Sequence, residues 1–344
     1  MSEKKTGLSE LKRDLKAGEP ARLYVFHGEE SYLREHYLGK LKQCLVSPGL
    51  DSFNYIRLEA RGLTPERLTE AVEGLPAFAP RKLVVVWGLD VCKPGGSLKE
   101  NLEKLLSDLP ESVCLVFVYD AMPFKPDART KIYALLKKAG RIVEFAPQQA
   151  GDLIPWITRH FATYNKQIDT GLCEYLLFQC GGLMSNLKNE IAKVTAYASG
   201  ECVTKTDIDM VITPVLDAVV YQMTDAIAIR DWDRAMSVLL TLREMREEPV
   251  ALLAALGRSL RGLYAAKLAR EAGRSARDLM SLMGYRSSYP AERLMQAARG
   301  RSLAWCRRAV SLCAEADWSL KSGSGRGDRG RVLEWVIAGL EVDQ

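Results

Sequence analysis

The first 146 residues alternate short apolar runs with stretches in which apolar residues return every three or four positions. LYVFH (23–27), NYIRLEA (54–60), KLVVVWG (82–88), SVCLVFVYD (112–120) and RIVEFA (141–146) have the length and β-branched content of strands. The runs at 82–88 and 112–120 are apolar almost throughout, as a strand covered on both faces should be. Between the first two runs, Leu33, Tyr37, Leu41 and Leu45 recur every four residues and predict a helix. Thr64-Pro65 supplies an N-cap followed by proline at the first helical position, opening a helix that runs towards Leu75. Ser97 to Glu100 reads as a capping box, and 127–139 as a further helix. About five strands alternating with helices predict a three-layer α/β domain on a parallel sheet, over 1–146.

After Pro147 the strand signal stops. Helical patterns at 154–164, 172–179 and 183–198, with a short helix capped by Thr204 and Asp207, predict a small helical domain over 147–212. Thr213-Pro214 breaks the pattern. Helices near 216–229, 232–246, 251–271, 291–299, 302–320 and 329–341 then predict a larger helical domain over 213–344. Its clearest member, 251–271, has an apolar face of Leu252, Leu253, Leu256, Leu260 and Leu263.

Composition narrows the chemistry. Of 344 residues, 47% are hydrophobic and 26% charged, the balance of a folded soluble chain. No run approaches the ~18 apolar residues of a membrane span, and the charged N-terminal stretch lacks a signal peptide's apolar segment, so the expected location is the cytoplasm. A net charge of +5 permits a nucleic-acid neighbour without requiring one. The 8 cysteines form no CxxC pair, so no zinc site is expected, and the thiols read as small buried hydrophobes. The 3 histidines have no HxxE or HExxH spacing, and no GxSxG nucleophile elbow occurs. Arginines 258, 261, 270, 274 and 277 read either as a solvated helical face or as a face near nucleic acid. Residues 325–330 match GxGxxG without a preceding strand. They read as a turn between helices or as a basic loop touching a phosphate backbone.

Two segments carry the functional question. In FHGEESYLRE (26–35) a strand leads through glycine into a helix, the topology of a phosphate loop. Laid on Gly28, the GxxxxGK[ST] frame puts Leu33 at the second glycine, Arg34 at the lysine and Glu35 at the hydroxyl. Leu33 carries a Cβ where the backbone must approach phosphate, and Glu35 replaces the usual metal-binding hydroxyl. Glu29 and Glu30 repel a triphosphate, and the strand at 82–88 ends in Trp87 and Gly88 where a Walker B strand ends in acid. Gly28, Glu29, Glu30, Ser31 and Arg34 therefore form a degenerate loop, and ATP hydrolysis is not expected of it. The second segment, Leu75-Pro76-Ala77-Phe78-Ala79-Pro80, brackets an aromatic between two prolines. Such a stiff loop either presents an apolar tip as a binding anchor or lets Phe78 plug the end of the core.

With these pieces assembled, the sequence resembles the δ-subunit family of the bacterial DNA polymerase III clamp loader. The likeness rests on residues 24–33 (YVFHGEESYL), on 75–86 (LPAFAPRKLVVV), on 186–193 (NLKNEIAK), and on Asp317 with 320–323 (LKSG). It implies an AAA+-like fold, in which the small helical domain is a lid and the larger one an oligomerising collar. It also implies a chain that neither binds nor hydrolyses ATP and has no cofactor. The implied partners are the β sliding clamp, the ATPase and δ′ subunits of the loader, and primed DNA within the assembly. On the same ground the clamp contact falls on Ala77 and Phe78, supported by Leu75. Lys321, Arg326 and Arg329 fall near DNA. The main alternative is an active AAA+ NTPase of DNA metabolism, which needs a usable phosphate loop. The sister δ′ and ATPase subunits carry a four-cysteine zinc module and a Ser-Arg-Cys motif, and neither occurs here.

Overall fold

The computed structural model describes residues 4–120, 122–244, 247–285, 287–322 and 331–342. The chain divides into two compact units, Met1–Gln148 and Gln149–Gln344.

The first unit runs α1 (Lys4–Ala17), β1 (Leu23–His27), α2 (Ser31–Leu45), α3 (Asp51–Asn54), β2 (Tyr55–Glu59), α4 (Pro65–Glu73), β3 (Lys82–Trp87), α5 (Gly96–Ser107), β4 (Val113–Val118), α6 (Lys131–Ala139) and β5 (Arg141–Glu144). The strands form one sheet in the order β2-β3-β4-β1-β5, and every neighbouring pair is parallel. Val25 of β1 lies opposite Phe117 of β4 on one side and Ile142 of β5 on the other. The period-2 alternation splits the core in two. Leu23, Val25, Val84, Val86, Leu115 and Phe117 face α4, α5 and α6. Tyr24, Phe26, Leu83, Val85, Cys114 and Val116 face Leu11 of α1 and Leu38 and Leu41 of α2. Three layers result, as the alternation predicts.

Helix α1 lies in the charged N-terminal stretch, an element beyond those the sequence pattern predicts. Its signal is the spacing of Leu8, Leu11 and Leu15, of which Leu11 is fully buried. Gly7 lets this helix approach β5, because a methyl there would lie 2.1 Å from the Ile142 carbonyl oxygen. Two caps are as read: Thr64 accepts from the Arg67 N–H at 3.3 Å, and Thr204 with Asp207 closes a capping box. Two helix starts differ from expectation. Helix α5 begins at Gly96 with Gly95 as its N-cap, so Ser97 lies inside the first turn and caps nothing. Helix α6 begins at Lys131 because Thr130 accepts from the Tyr133 N–H, while Asp127 holds Arg129 in a preceding turn.

The second unit is helical: α7 (Ala150–Ala162), α8 (Thr170–Cys180), α9 (Met184–Tyr197), α10 (Lys205–Val211), α11 (Leu216–Ala228), α12 (Trp232–Glu244), α13 (Pro249–Glu271), α14 (Ala276–Met283), α15 (Tyr289–Ala297), α16 (Leu303–Ser322) and α17 (Val332–Val342). Helix α13 buries the predicted Leu252, Leu253, Leu256, Leu260 and Leu263, and α11, α15 and α16 pack on it. Helix α14 was not anticipated; Ser275 and Asp278 close its capping box. Arg301 is buried, donates to the Ala228 carbonyl at 3.1 Å and to that of Ile227, and lies 4.1 Å from the Trp305 ring centroid. A cation is thereby held at the C-terminal end of α11, where the helix dipole favours one.

All eight cysteines are free thiols. Cys114, Cys173, Cys180, Cys306 and Cys313 are buried as expected, and burial pushes the Cys114 and Cys313 thiols up to about 12. Cys44 and Cys202 depart from the expectation: both are exposed, Cys44 near the end of α2 and Cys202 between α9 and α10. No single helix among the described residues is long and apolar enough to cross a membrane.

Candidate functional site

The phosphate-loop segment is built where β1 ends and α2 begins. Gly28 adopts φ +116°, and a Cβ there would meet the Phe145 carbonyl oxygen at 2.4 Å. Only glycine allows this approach to the chain that follows β5. The Phe145 N–H donates to His27 O at 2.7 Å, and the Glu30 N–H donates to Phe145 O at 3.0 Å. A phosphate loop aims its amides outwards at the ligand. Here the Glu30 amide is turned onto the protein's own backbone, and the Ser31 amide donates to Glu29 O at 3.0 Å. Glu29 is exposed and Glu30 completely buried.

Arg34, at the Walker lysine's place in the frame, is 2% exposed and among the largest fully buried side chains. Its Nη1 donates to Gly28 O at 3.0 Å, and its Nη2 pairs with the carboxylate of Asp120, two residues beyond β4. The cation at that position is already paired with a carboxylate of its own chain. The acids near the strand ends are similarly engaged. Beyond β3, Asp90 accepts from the Tyr119 hydroxyl at 3.0 Å and from the Cys92 N–H at 3.1 Å. Burial pushes the Tyr119 phenol far above its ordinary range, so it remains a donor. Trp87, at the Walker B position, lies under the Arg57 guanidinium at 4.5 Å. Among the described residues, no group of three or more His, Cys, Asp or Glu is placed to hold a metal. The residues present do not fit a magnesium–nucleotide complex.

The second segment lies between α4 and β3. Leu75 is 86% exposed and Phe78 97% exposed, while Ala77 is half-buried. The reading in which Phe78 plugs the core is therefore wrong. Its backbone has φ +51°, a left-handed conformation that a bulky residue adopts at a cost, and the ring is directed into solvent. Pro76 and Pro80 fix φ on either side.

The loop is anchored at both ends and in the middle. Arg81 donates to the carbonyls of Pro20 at 2.6 Å, Ala21 at 3.3 Å and Val113 at 3.1 Å. Lys82 is buried, and a methyl on Gly74 would lie 3.3 Å from its ammonium, which puts the charge at the C-terminal end of α4. Burial lowers the pKa of this lysine. In the middle, fully buried Asn54 donates from Nδ2 to Ala77 O at 2.8 Å, and its Oδ1 accepts from the Ala77 N–H at 2.8 Å. In the sequence Asn54 reads only as the first residue of a strand. Its burial was the missing signal, and sequence alone does not show it.

The basic candidates fare unevenly. Lys321, in the last turn of α16, pairs with Asp317 at 2.7 Å on the surface. Arg326 and Arg329 lie outside the described residues, as does the rest of the 325–330 motif. Arg258 pairs with Asp217 at 2.7 Å and Arg270 donates to Met295 O at 3.3 Å, so these two are tied to their own chain.

A family model described as "DNA polymerase III, delta subunit" matches residues 24–146, and one described as "DNA polymerase III delta subunit, C-terminal domain" matches 217–340. The chain belongs to the DNA polymerase III δ-subunit family. It is 25% identical over 337 residues to "DNA polymerase III subunit delta" of Bacillus subtilis (strain 168), covering 95% of each chain. It is 26% identical over 275 residues to "Probable DNA polymerase III subunit delta" of Aquifex aeolicus (strain VF5), covering 78% of this chain and 77% of the other. In fold it is similar to the solved Bacillus subtilis DNA clamp loader delta protein, with a TM-score of 0.51 and 21% identity over 97% of this chain and 99% of that one.

Membership in the δ-subunit family gives the chain a role in the multi-subunit clamp loader of DNA polymerase III. Within this δ-family chain the two segments occupy opposite ends of the sheet. The closed phosphate loop follows β1 at the C-terminal edge, and the apolar loop precedes β3 at the N-terminal edge. Strands β1 and β3, which run between these two ends, are five and six residues long, about 17–20 Å.

Proposed function

We propose that this δ-family chain grips the ring-shaped β sliding clamp through the loop at 75–80 and contributes no ATPase activity of its own. The observation that carries the reading is Phe78, 97% exposed on left-handed backbone in a loop stiffened by two prolines. A protein does not hold an aromatic side chain in water on strained backbone for the sake of its own stability. Phe78 enters an apolar pocket of the clamp, with Leu75 flanking it and Ala77 setting the loop's height. Burying about 150 Å² of aromatic surface at ~25 cal/mol/Å² is worth about 3–4 kcal/mol before ordering costs. Opening the ring requires that the clamp be bound better open than closed, because equal affinity shifts nothing.

The inward-facing amides and the Arg34–Asp120 pair support the absence of nucleotide chemistry. ATP is then the business of the partner ATPase subunits, with δ′ completing the loader around primed DNA. We divide the chain functionally into an AAA+-like domain (1–146), a lid (147–212) and a collar (213–344). In the collar, Met236, Leu240, Trp318 and Trp335 are exposed and supply apolar surface for neighbouring subunits. Lys321, Arg326 and Arg329 supply positive charge near the DNA.

Two measurements test the reading. Titrating Mg-ATP into the purified chain is expected to give no binding heat in the micromolar range, and saturable micromolar binding would refute the closed site. Immobilised clamp should capture the wild-type chain and fail to retain the Leu75→Ala/Phe78→Ala double variant. Equal retention of the two would refute the grip.

A further inference from the structure

The apolar loop makes few hydrogen bonds of its own. Pro76 and Pro80 have no N–H, Gly74 closes α4 by donating to Glu70 O at 3.0 Å, and Lys82 starts β3 by donating to Ser112 O at 2.9 Å. Between those points, among the described residues, the backbone is held by the two bonds between Asn54 and Ala77. Asn54 stands at the end of α3, where its own N–H donates to Leu50 O at 2.9 Å, and it is completely buried. Its side chain therefore presents a fixed donor and a fixed acceptor to one residue of a loop 23 positions away.

The chemistry of that pair is specific. The Ala77 N–H needs an acceptor and its carbonyl needs a donor, so the two partners dictate the orientation of the amide group. An ionised aspartate offers two acceptors and would oppose the carbonyl. Glutamine has the chemistry but an extra methylene, and alanine leaves both backbone groups without their partner. The bonded residue directly precedes Phe78, whose φ of +51° needs its surroundings to hold it there. We infer that Asn54 is a positioning residue for clamp binding: it fixes the Ala77 backbone so that Phe78 is held, before any contact, in the conformation that enters the clamp.

The inference rests on the clamp-gripping reading of this loop and adds a residue that does not itself touch the clamp. Pre-organisation raises affinity by removing the ordering cost from the binding step. Losing it should weaken binding by about tenfold, with the anchor side chain still present.

The test is a double-mutant cycle on the intact chain, with affinity for the purified cognate clamp measured by surface plasmon resonance. Asn54→Ala is expected to weaken binding about tenfold in the wild-type background and less than twofold in a Phe78→Ala background, because a misplaced anchor cannot be lost twice. Hydrogen exchange at the Ala77 amide should be slow in the wild type and fast in Asn54→Ala. Asn54→Asp, which keeps the volume and one of the two bonds, serves as the variant if Asn54→Ala fails to fold, and should also weaken binding. If Phe78→Ala weakens binding while the Asn54 variants stay within twofold of wild type, the positioning role is wrong and the grip stands. Equal weakening in both backgrounds would also overturn it, because Asn54 would then act through the fold and not through Phe78. Unchanged affinity in Phe78→Ala would remove the grip itself.

Discussion

Replacing Phe78 with glycine is expected to stabilise the chain and to weaken its hold on the sliding clamp by more than ~2 kcal/mol. The two effects have opposite signs because one residue serves two opposed requirements. In the folded chain Phe78 buries almost nothing, so its removal forfeits little apolar burial. Glycine relieves the penalty of φ +51°, a cost of about 1–2 kcal/mol for a residue with a Cβ. Part of that gain is offset by the extra freedom glycine has in the unfolded chain, leaving a net stabilisation of about 0.5–1 kcal/mol. Clamp binding should meanwhile lose more than ~2 kcal/mol, the scale of a buried aromatic hot spot. Denaturant unfolding with a parallel binding titration reads both. Destabilisation by glycine would mean that Phe78 supports the fold, which its exposure does not suggest.

The second large effect concerns Arg34. Arg34→Ala should destabilise Met1–Gln148 by about 2–4 kcal/mol. It removes a fully buried side chain, strips the Gly28 carbonyl of a donor at 3.0 Å, and leaves Asp120 without its cation. The carboxylate of Asp120 is 57% exposed, so water screens its share and the estimate stays below the extreme for buried pairs. Much of the loss comes from the packed stem. Arg34→Met, which keeps most of the volume, should cost about half as much. Amide exchange of β1 and β4 reports on this unit separately from the helical one. A loss below ~1 kcal/mol for the alanine variant would show that the pair does not close the loop. Arg34→Lys restores the residue type of a Walker motif, yet should gain no nucleotide binding. The Glu30 amide still faces the Phe145 carbonyl, and Asp120 still meets the cation.

The layers of the fold were legible in the sequence because burial wrote itself into spacing. Strands β3 and β4 are apolar on both faces because both faces are covered, and α13 repeats leucine on the side it buries. Helix α1 went unread because its three leucines are diluted by charge. The α5 start differs from the capping-box pattern because Ser97 and Glu100 both lie inside a helix that Gly95 already opens. The departure of 26–35 from a Walker frame is also legible, since Leu33 and Glu35 stand where that frame has glycine and a hydroxyl. What closes the site was not, because the partner of Arg34 lies 86 residues away. The apolar loop shows the same division. Its two prolines announce stiffness, but neither the exposure of Phe78 nor the burial of Asn54 against the Ala77 backbone is marked by a local pattern.

The central claim is that this chain holds the sliding clamp by Phe78 without nucleotide. It is tested most directly by titrating the purified cognate clamp into the intact wild-type chain and into Phe78→Ala, by calorimetry in nucleotide-free buffer. Saturable binding by the wild type and at least ~30-fold weaker binding by Phe78→Ala, about 2 kcal/mol, is the predicted result. Equal affinity of the two chains for the clamp would contradict it.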